Sequence, residues 1–132
     1  MAEIILSNRM QALTDMVTPG TVITDVGCDH GFVSVYLVQK GISPRVIAMD
    51  VRSGPLEHAR EHIREYGLED RIETRLSDGL HSLKTGEAAG MICAGMGGPL
   101  MEKILTEGRE QAKGFRELIL QPQSEIPHFR TF

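Results

Sequence analysis

The sequence predicts an α/β fold of the Rossmann-like type, a doubly wound and mostly parallel sheet with helices on both faces. Two observations carry that expectation. Short apolar runs alternate with segments of helical periodicity, which is the signature of βαβ units. Alternation of short strands with helices indicates a parallel sheet covered on both faces. The unusual residue clusters, at 27–31, 50, 78–79, 95–98 and 121–123, each sit at the end of such an apolar run. In open α/β sheets ligands bind beyond the carboxyl ends of the strands, where strand order reverses.

The elements follow in order. Asn8 to Val17 places Met10, Leu13, Met16 and Val17 at helical spacing, with Ser7 or Asn8 as N-cap and Pro19-Gly20 as the closing turn. Val22 to Val26 predicts a buried strand that runs straight into Gly27-Cys28-Asp29-His30-Gly31. Phe32 to Gln39 is helical, closed by Lys40-Gly41. Arg45 to Asp50 predicts a second strand ending in a carboxylate. Ser53 is expected to cap a helix whose face is Leu56, Ala59, Ile63 and Tyr66, with Gly67 as its stop. Ile72 to Leu76 and Ala88 to Ala94 predict the third and fourth strands, leading into Ser77-Asp78-Gly79 and Gly95-Met96-Gly97-Gly98. A helix is expected from about Pro99 to Gln111, since proline is tolerated in a first turn. Glu117 to Leu120 predicts a fifth strand, closed by Gln121-Pro122, and Ser124 to Phe132 reads as a further helix beginning. Five strands leave a doubly wound sheet short of its final elements, so the chain is expected to be truncated before its last strands.

A chain of 132 residues, 41% hydrophobic and 24% charged, has room for one domain with a sizeable apolar core. No apolar stretch approaches a bilayer span, and Met1-Ala2-Glu3 carries an acid where a signal peptide needs bases. Cys28 and Cys93 lack the spacing of a zinc site or a disulfide framework. A reduced, cytoplasmic protein without membrane attachment is expected. The net charge of −4 supplies no basic surface by count. A nucleic-acid partner would therefore need local patches or sequence beyond this chain.

The glycine loops carry the chemistry. A dinucleotide site needs G-x-G-x-x-G so that pyrophosphate can rest on a helix N-terminus. Here Gly27-Cys28-Asp29-His30-Gly31 reads G-x-D-x-G, and Asp29 stands where the middle glycine would be. A carboxylate there repels pyrophosphate but accepts hydrogen bonds from an ammonium or hydroxyl group. That disfavours NAD and favours S-adenosylmethionine, which has no phosphate and is cationic at sulfur and amine. Asp50 follows at the interval where an acid holds both ribose hydroxyls; the bland alternative is a helix cap. Asp78-Gly79 suits the adenine amino group and ring, and is equally a common turn dipeptide.

Three glycines in Gly95-Met96-Gly97-Gly98 imply that something needs bare backbone there, while Met96 alone could be core. Enzymes that methylate exocyclic amines place an acid or amide followed by prolines at this point, and this chain does not. His30 could cap a helix or pack against the cofactor. His58 and His62 have an i, i+4 metal spacing, but Glu57, Glu61 and Glu65 mark a solvated face and no metal is expected.

Asp25-Val26-Gly27-Cys28-Asp29-His30-Gly31, Ala94-Gly95-Met96-Gly97-Gly98 and Leu118-Ile119-Leu120-Gln121-Pro122-Gln123 together resemble the bacterial tRNA adenine(22)-N1 methyltransferase family, and Ser7-Asn8-Arg9 is similar to that family's start. The resemblance covers almost the whole chain. It implies a class I methyltransferase domain over 1–132 that uses S-adenosylmethionine, without the C-terminal strands and helical coiled-coil domain that complete the family's proteins and would grip much of the tRNA. The cofactor set it implies is Gly27, Cys28, Asp29, His30, Gly31, Asp50, Val51, Asp78, Gly79 and Gly95; on the substrate side it implies Arg9, Met96, Gly97, Gly98, Gln121 and Pro122. Asp29 is the catalytic candidate, with cofactor binding alone as an equal alternative. Two rivals stand beside this expectation: a methyltransferase acting on a small molecule or another RNA, and a non-catalytic cofactor-binding domain of the same fold.

Overall fold

The computed structural model describes residues 4–122. Five strands form one parallel sheet in the order β3-β2-β1-β4-β5: β1 Ile23–Val26, β2 Val46–Asp50, β3 Ile72–Leu76, β4 Gly90–Met96 and β5 Glu117–Pro122. The helices are α1 Asn8–Asp15, α2 Phe32–Gln39, α3 Ser53–Glu65, α4 Gly98–Glu107 and the short α5 Arg109–Ala112. The expected helix over 124–132 lies outside the described residues.

Alternation along the strands sorts the core into two layers, one on each face. Val46, Ala48, Ile23 and Ile92 pack with α1, α2 and α3, while Ile47, Met49, Met91 and Cys93 pack with α4 and the 77–89 connection. Ile47 and Met49 are essentially inaccessible to solvent. Each such side chain stabilises the fold by roughly 1.5–3 kcal/mol relative to exposure. Helix α2 is apolar on most sides, as a helix that buries Ser34, Val35, Leu37 and Val38 must be.

Several elements differ in their bounds from the sequence expectation, among them β5, which runs on through Gln121 to Pro122. The Ser7 hydroxyl caps α1 by accepting from Met10 N–H, but the helix stops at Asp15, before Val17. Arg52, not Ser53, is the N-cap of α3, because the Asp50 carboxylate already accepts the Arg52 N–H at 2.9 Å. β4 runs on to Met96 through an irregularity between Ala94 and Met96, where Gly95 takes φ +75°. The expected helix 99–111 is broken at Gly108, where a Cβ would lie 2.6 Å from Leu80 Cδ1 and 2.9 Å from the Ile104 carbonyl oxygen. The 77–89 connection holds no helix; buried Leu80 and Leu83 cover the sheet there. Among the described residues no helix is long and apolar enough to cross a membrane.

Candidate functional site

Strand β1 has β2 on one side and β4 on the other, so the chain reverses direction across the sheet at the carboxyl end of β1. The loop leaving β1 is stitched to β2: Gly27 and Cys28 N–H both donate to the Met49 carbonyl, at 2.8 and 2.9 Å. Gly27 adopts φ +75°, and a Cβ there would fall 2.4 Å from Met96 Cε. Glycine therefore serves both the turn and the close approach of β4's end. Asp29 follows at φ +53°, a left-handed conformation that costs a non-glycine residue energy and that recurs at functional sites. Gly31 caps α2 at φ +80° and lets α2 pack on Ala59 of α3.

Asp50 is the hub of the site. Its carboxylate is buried, yet it accepts the Asp29 N–H at 3.0 Å and the Arg52 N–H at 2.9 Å. The Arg52 guanidinium lies 3.5 Å from Asp50 and 3.9 Å from Asp29. The bland alternative of an exposed helix cap is thus half right: Asp50 organises the start of α3, but from a buried position at the sheet's edge. A carboxylate has about four acceptor sites, so two backbone bonds leave capacity for a ligand.

Asp25, inside β1, is buried and accepts a hydrogen bond from Ser34 Oγ at 2.8 Å. Burial pushes its carboxyl up to about 6, Asp50 and Asp29 add to the rise, and the Ser34 bond opposes it. Cys28 and Cys93 are also held protonated by burial, the Cys28 thiol far above the ordinary range and Cys93 pushed up to about 12, so neither supplies a thiolate nucleophile.

Asp25, Cys28, Asp29, Asp50 and Arg52 face a cavity of about 760 Å³ beyond the carboxyl ends of the strands. That lies within the range of small-molecule and cofactor sites. Of the predicted cofactor residues, Gly27, Cys28, Asp29, Asp50, Val51, Asp78, Gly79 and Gly95 line it, and of the predicted substrate residues Arg9, Met96, Gly97 and Gln121 do. His30, Gly31 and Gly98 are not among its lining. Pro122 ends β5 beside Gln121 and pairs with Met96.

His30 turns away from the cavity toward α3, where its ring centroid lies 5.3 Å from that of His58 and its carbonyl accepts from His62 Nδ1 at 2.7 Å. The His58–His62 pair is therefore part of a surface ring cluster with His30 and Phe32. Among the described residues, the group whose metal-ligand atoms do converge is Asp78, His81 and Glu107, all exposed, with His81 paired to Glu107 at 3.1 Å.

Sequence reasoning gave no site role to Asp25, Arg52 or Ser77. Asp25 was visible as a carboxylate inside an otherwise apolar strand. Ser77 is buried, accepting the Ser82 N–H at 3.0 Å and donating to the Gly79 carbonyl at 2.9 Å, which shapes the turn that presents Asp78. In that turn Gly79 takes φ +59° against Ile104.

The polar lining of the cavity is acidic at one end. Asp78, Asp50 and the Asp25–Asp29 pair stand at the ends of β3, β2 and β1, and the bare backbone of Gly95 follows at β4. Such a set complements a ligand with cationic, hydroxyl and amino groups and opposes a pyrophosphate.

The chain is similar to proteins of known sequence and structure. The chain is 36% identical to the tRNA (adenine(22)-N(1))-methyltransferase of Bacillus subtilis, over 100% of its own length and 56% of that protein's. Sp1610 of Streptococcus pneumoniae, solved in complex with S-adenosyl-L-methionine, superposes with a TM-score of 0.92 at 33% identity, covering 96% of this chain and 60% of that one. TrmK of M. capricolum, solved with the product S-adenosyl-homocysteine, gives 0.87 at 26% identity over 96% and 56%. The chain spans little more than half the length of these relatives. Residues 6–132 match the family model described as a methyltransferase domain, and the chain belongs to that family.

Proposed function

We propose that residues 1–132 form the S-adenosylmethionine-binding domain of a cytoplasmic enzyme that methylates N1 of an adenine in tRNA. The carboxylate-lined cavity at the β1–β4 switch point is the observation that carries this reading. The likeness to a tRNA adenine-N1 methyltransferase over the whole chain supports the substrate.

In this assignment Asp50 accepts the ribose hydroxyls, Asp78 accepts the adenine amino group, and Gly27 and Gly95 leave room for the cofactor's close approach. Asp25 and Asp29 supply negative charge toward its cationic groups. When bound, the cofactor supplies an electrophilic sulfonium methyl. Adenine N1 carries an in-plane lone pair and needs no prior deprotonation, so the chain needs no general base. Its residues align the two reactants and stabilise the positive charge that develops on the base. Asp29, left-handed and exposed at the cavity wall, is the residue proposed for that stabilisation. Arg9, Met96, Gly97 and Gln121 frame the side on which the base enters, and sequence beyond this chain grips the rest of the tRNA.

The test is methylation of unmodified tRNA by the full-length polypeptide, read by nucleoside mass spectrometry. N1-methyladenosine is the expected product. Methylation only of a small molecule, or of another position in RNA, overturns the substrate assignment. Asp29→Asn should lower turnover about ten- to a thousandfold at saturating cofactor, with cofactor affinity changed far less. Loss of affinity with turnover preserved would make Asp29 a cofactor residue alone.

A further inference from the structure

Asp78 lines two cavities. One is the large cavity at the strand ends; the other is a pit of about 10 Å³ whose walls include Asp78, His81, Lys103 and Glu107. The pit has room for about one water-sized atom.

Three donors meet there. Asp78 and His81 come from the turn after β3, where the His81 N–H donates to the Asp78 carbonyl at 3.2 Å, and Glu107 is the last residue of α4. One carboxylate oxygen from each acid and one imidazole nitrogen all lie within 4.8 Å of one another, with His81 Nε2 and Glu107 Oε1 at 3.1 Å. Around a zinc ion with ligand distances of about 2.1 Å, tetrahedral donors stand roughly 3.4 Å apart. All three side chains are exposed, so small rotations reach that spacing.

The electrostatics favour a cation. Two carboxylates this close repel each other, and Glu107 adds negative charge where the dipole of α4 is already negative, with no basic residue in the helix's last turn. Lys103 offsets part of this charge, its Nζ 3.9 Å from the other oxygen of Glu107. One imidazole with two carboxylates suits zinc and similar divalent transition ions, whereas magnesium and calcium prefer oxygen ligands alone. The sequence expectation of no metal rested on His58 and His62; the present set joins His81 to a residue 26 positions away.

We propose that Asp78, His81 and Glu107 form a site for a divalent transition-metal ion, and that the ion opposes cofactor binding through the Asp78 carboxylate shared by the two cavities. An ion on Asp78 neutralises the charge that the adenine amino group would meet, so each ligand weakens the other by the same factor. This coupling, though not the ion site, rests on the proposed function.

The test is calorimetric titration of the chain with Zn²⁺ and, separately, with Mg²⁺. One zinc site is expected, with Mg²⁺ far weaker. His81→Ala and Glu107→Gln should each weaken zinc by more than about tenfold, because losing a direct ligand costs more than losing an outer-shell partner. Lys103→Ala should tighten it, and His58→Ala should leave it unchanged. With zinc bound, S-adenosylhomocysteine should bind the wild type about fivefold more weakly and bind His81→Ala no differently.

Zinc affinity unaltered in both His81→Ala and Glu107→Gln overturns the site, and a preference for Mg²⁺ overturns the choice of ion. Loss of zinc in His58→Ala alone would move the ion to the ring cluster of His30, His58 and His62, which also overturns the proposal. A confirmed site with S-adenosylhomocysteine indifferent to zinc overturns the coupling. A wild-type chain that never binds S-adenosylhomocysteine, with or without zinc, would instead overturn the cofactor assignment and leave the ion site standing.

Discussion

At the scale of single residues, two buried carboxylates do different work. Asp25 is pushed up to about 6 from 3.8, chiefly by burial. Between those values the folded chain holds a proton that the unfolded chain releases, so stability falls as pH rises through that window and levels off above it. Asp25→Asn keeps an acceptor for Ser34 and removes the buried charge. It should therefore raise unfolding free energy at pH 7, by roughly 1–3 kcal/mol, and leave it nearly unchanged at pH 4, as read from urea unfolding at the two pH values. An equal effect at both would mean that Asp25 titrates alike in the folded and unfolded chains and that burial does not raise its carboxyl.

Asp50 binds two backbone N–H groups, at 2.9 and 3.0 Å, and its removal unpins both loops at once. Asp50→Ala should lower the melting temperature as well as weaken cofactor binding by roughly 1–3 kcal/mol. Unaltered affinity in a folded Asp50→Ala protein would leave Asp50 as a structural clamp only.

At the scale of elements, the glycine loops were the most legible feature of the sequence, because glycine is one of few residues that take positive φ at little cost. Gly27, Gly31, Gly79 and Gly95 all do so, at φ between +59° and +80°. Strand positions were legible from apolar runs. Their ends were not where a polar residue elsewhere in the chain closes the element, as when Asp50 captures the Arg52 N–H, or where a bulge carries β4 beyond its apolar run. The need for glycine at the break, Gly108, was hidden because the close approach of Leu80 is a contact distant in sequence.

The loop conformation gives a test at this scale. Gly27→Ala places a Cβ in the left-handed region, at a cost of roughly 1–2 kcal/mol, and pushes Met96 into the cavity. Gly20 has φ +88°, lies outside the cavity lining and has open space around its Cβ position. Gly20→Ala should thus cost similar stability while leaving cofactor affinity alone, whereas Gly27→Ala should lower both, by chemical unfolding and titration. Equal affinities in the two variants would detach the Gly27 loop from binding.

At the scale of the whole molecule, the sheet order turns separated motifs into one cavity. The sequence showed that every unusual cluster sits at a strand end, but not which clusters face one another. His30 illustrates the limit, since it belongs to the loop by position and to the α3 surface by orientation. Asp25 illustrates the converse, a residue that reads as strand interior and becomes cavity wall.

With several carboxylates and a proton-binding Asp25 in one cavity, affinity for S-adenosylmethionine should rise between about pH 5 and 7 as Asp25 ionises toward the bound cation. Asp25→Asn should flatten that rise, and a pH-independent wild-type affinity would contradict it.

The most direct measurement is calorimetric titration of this chain with S-adenosylhomocysteine and, separately, with NAD. The account predicts saturable one-site binding of S-adenosylhomocysteine, weakened in Asp50→Ala, and no heat from NAD. Binding of NAD with no response to S-adenosylhomocysteine would contradict it.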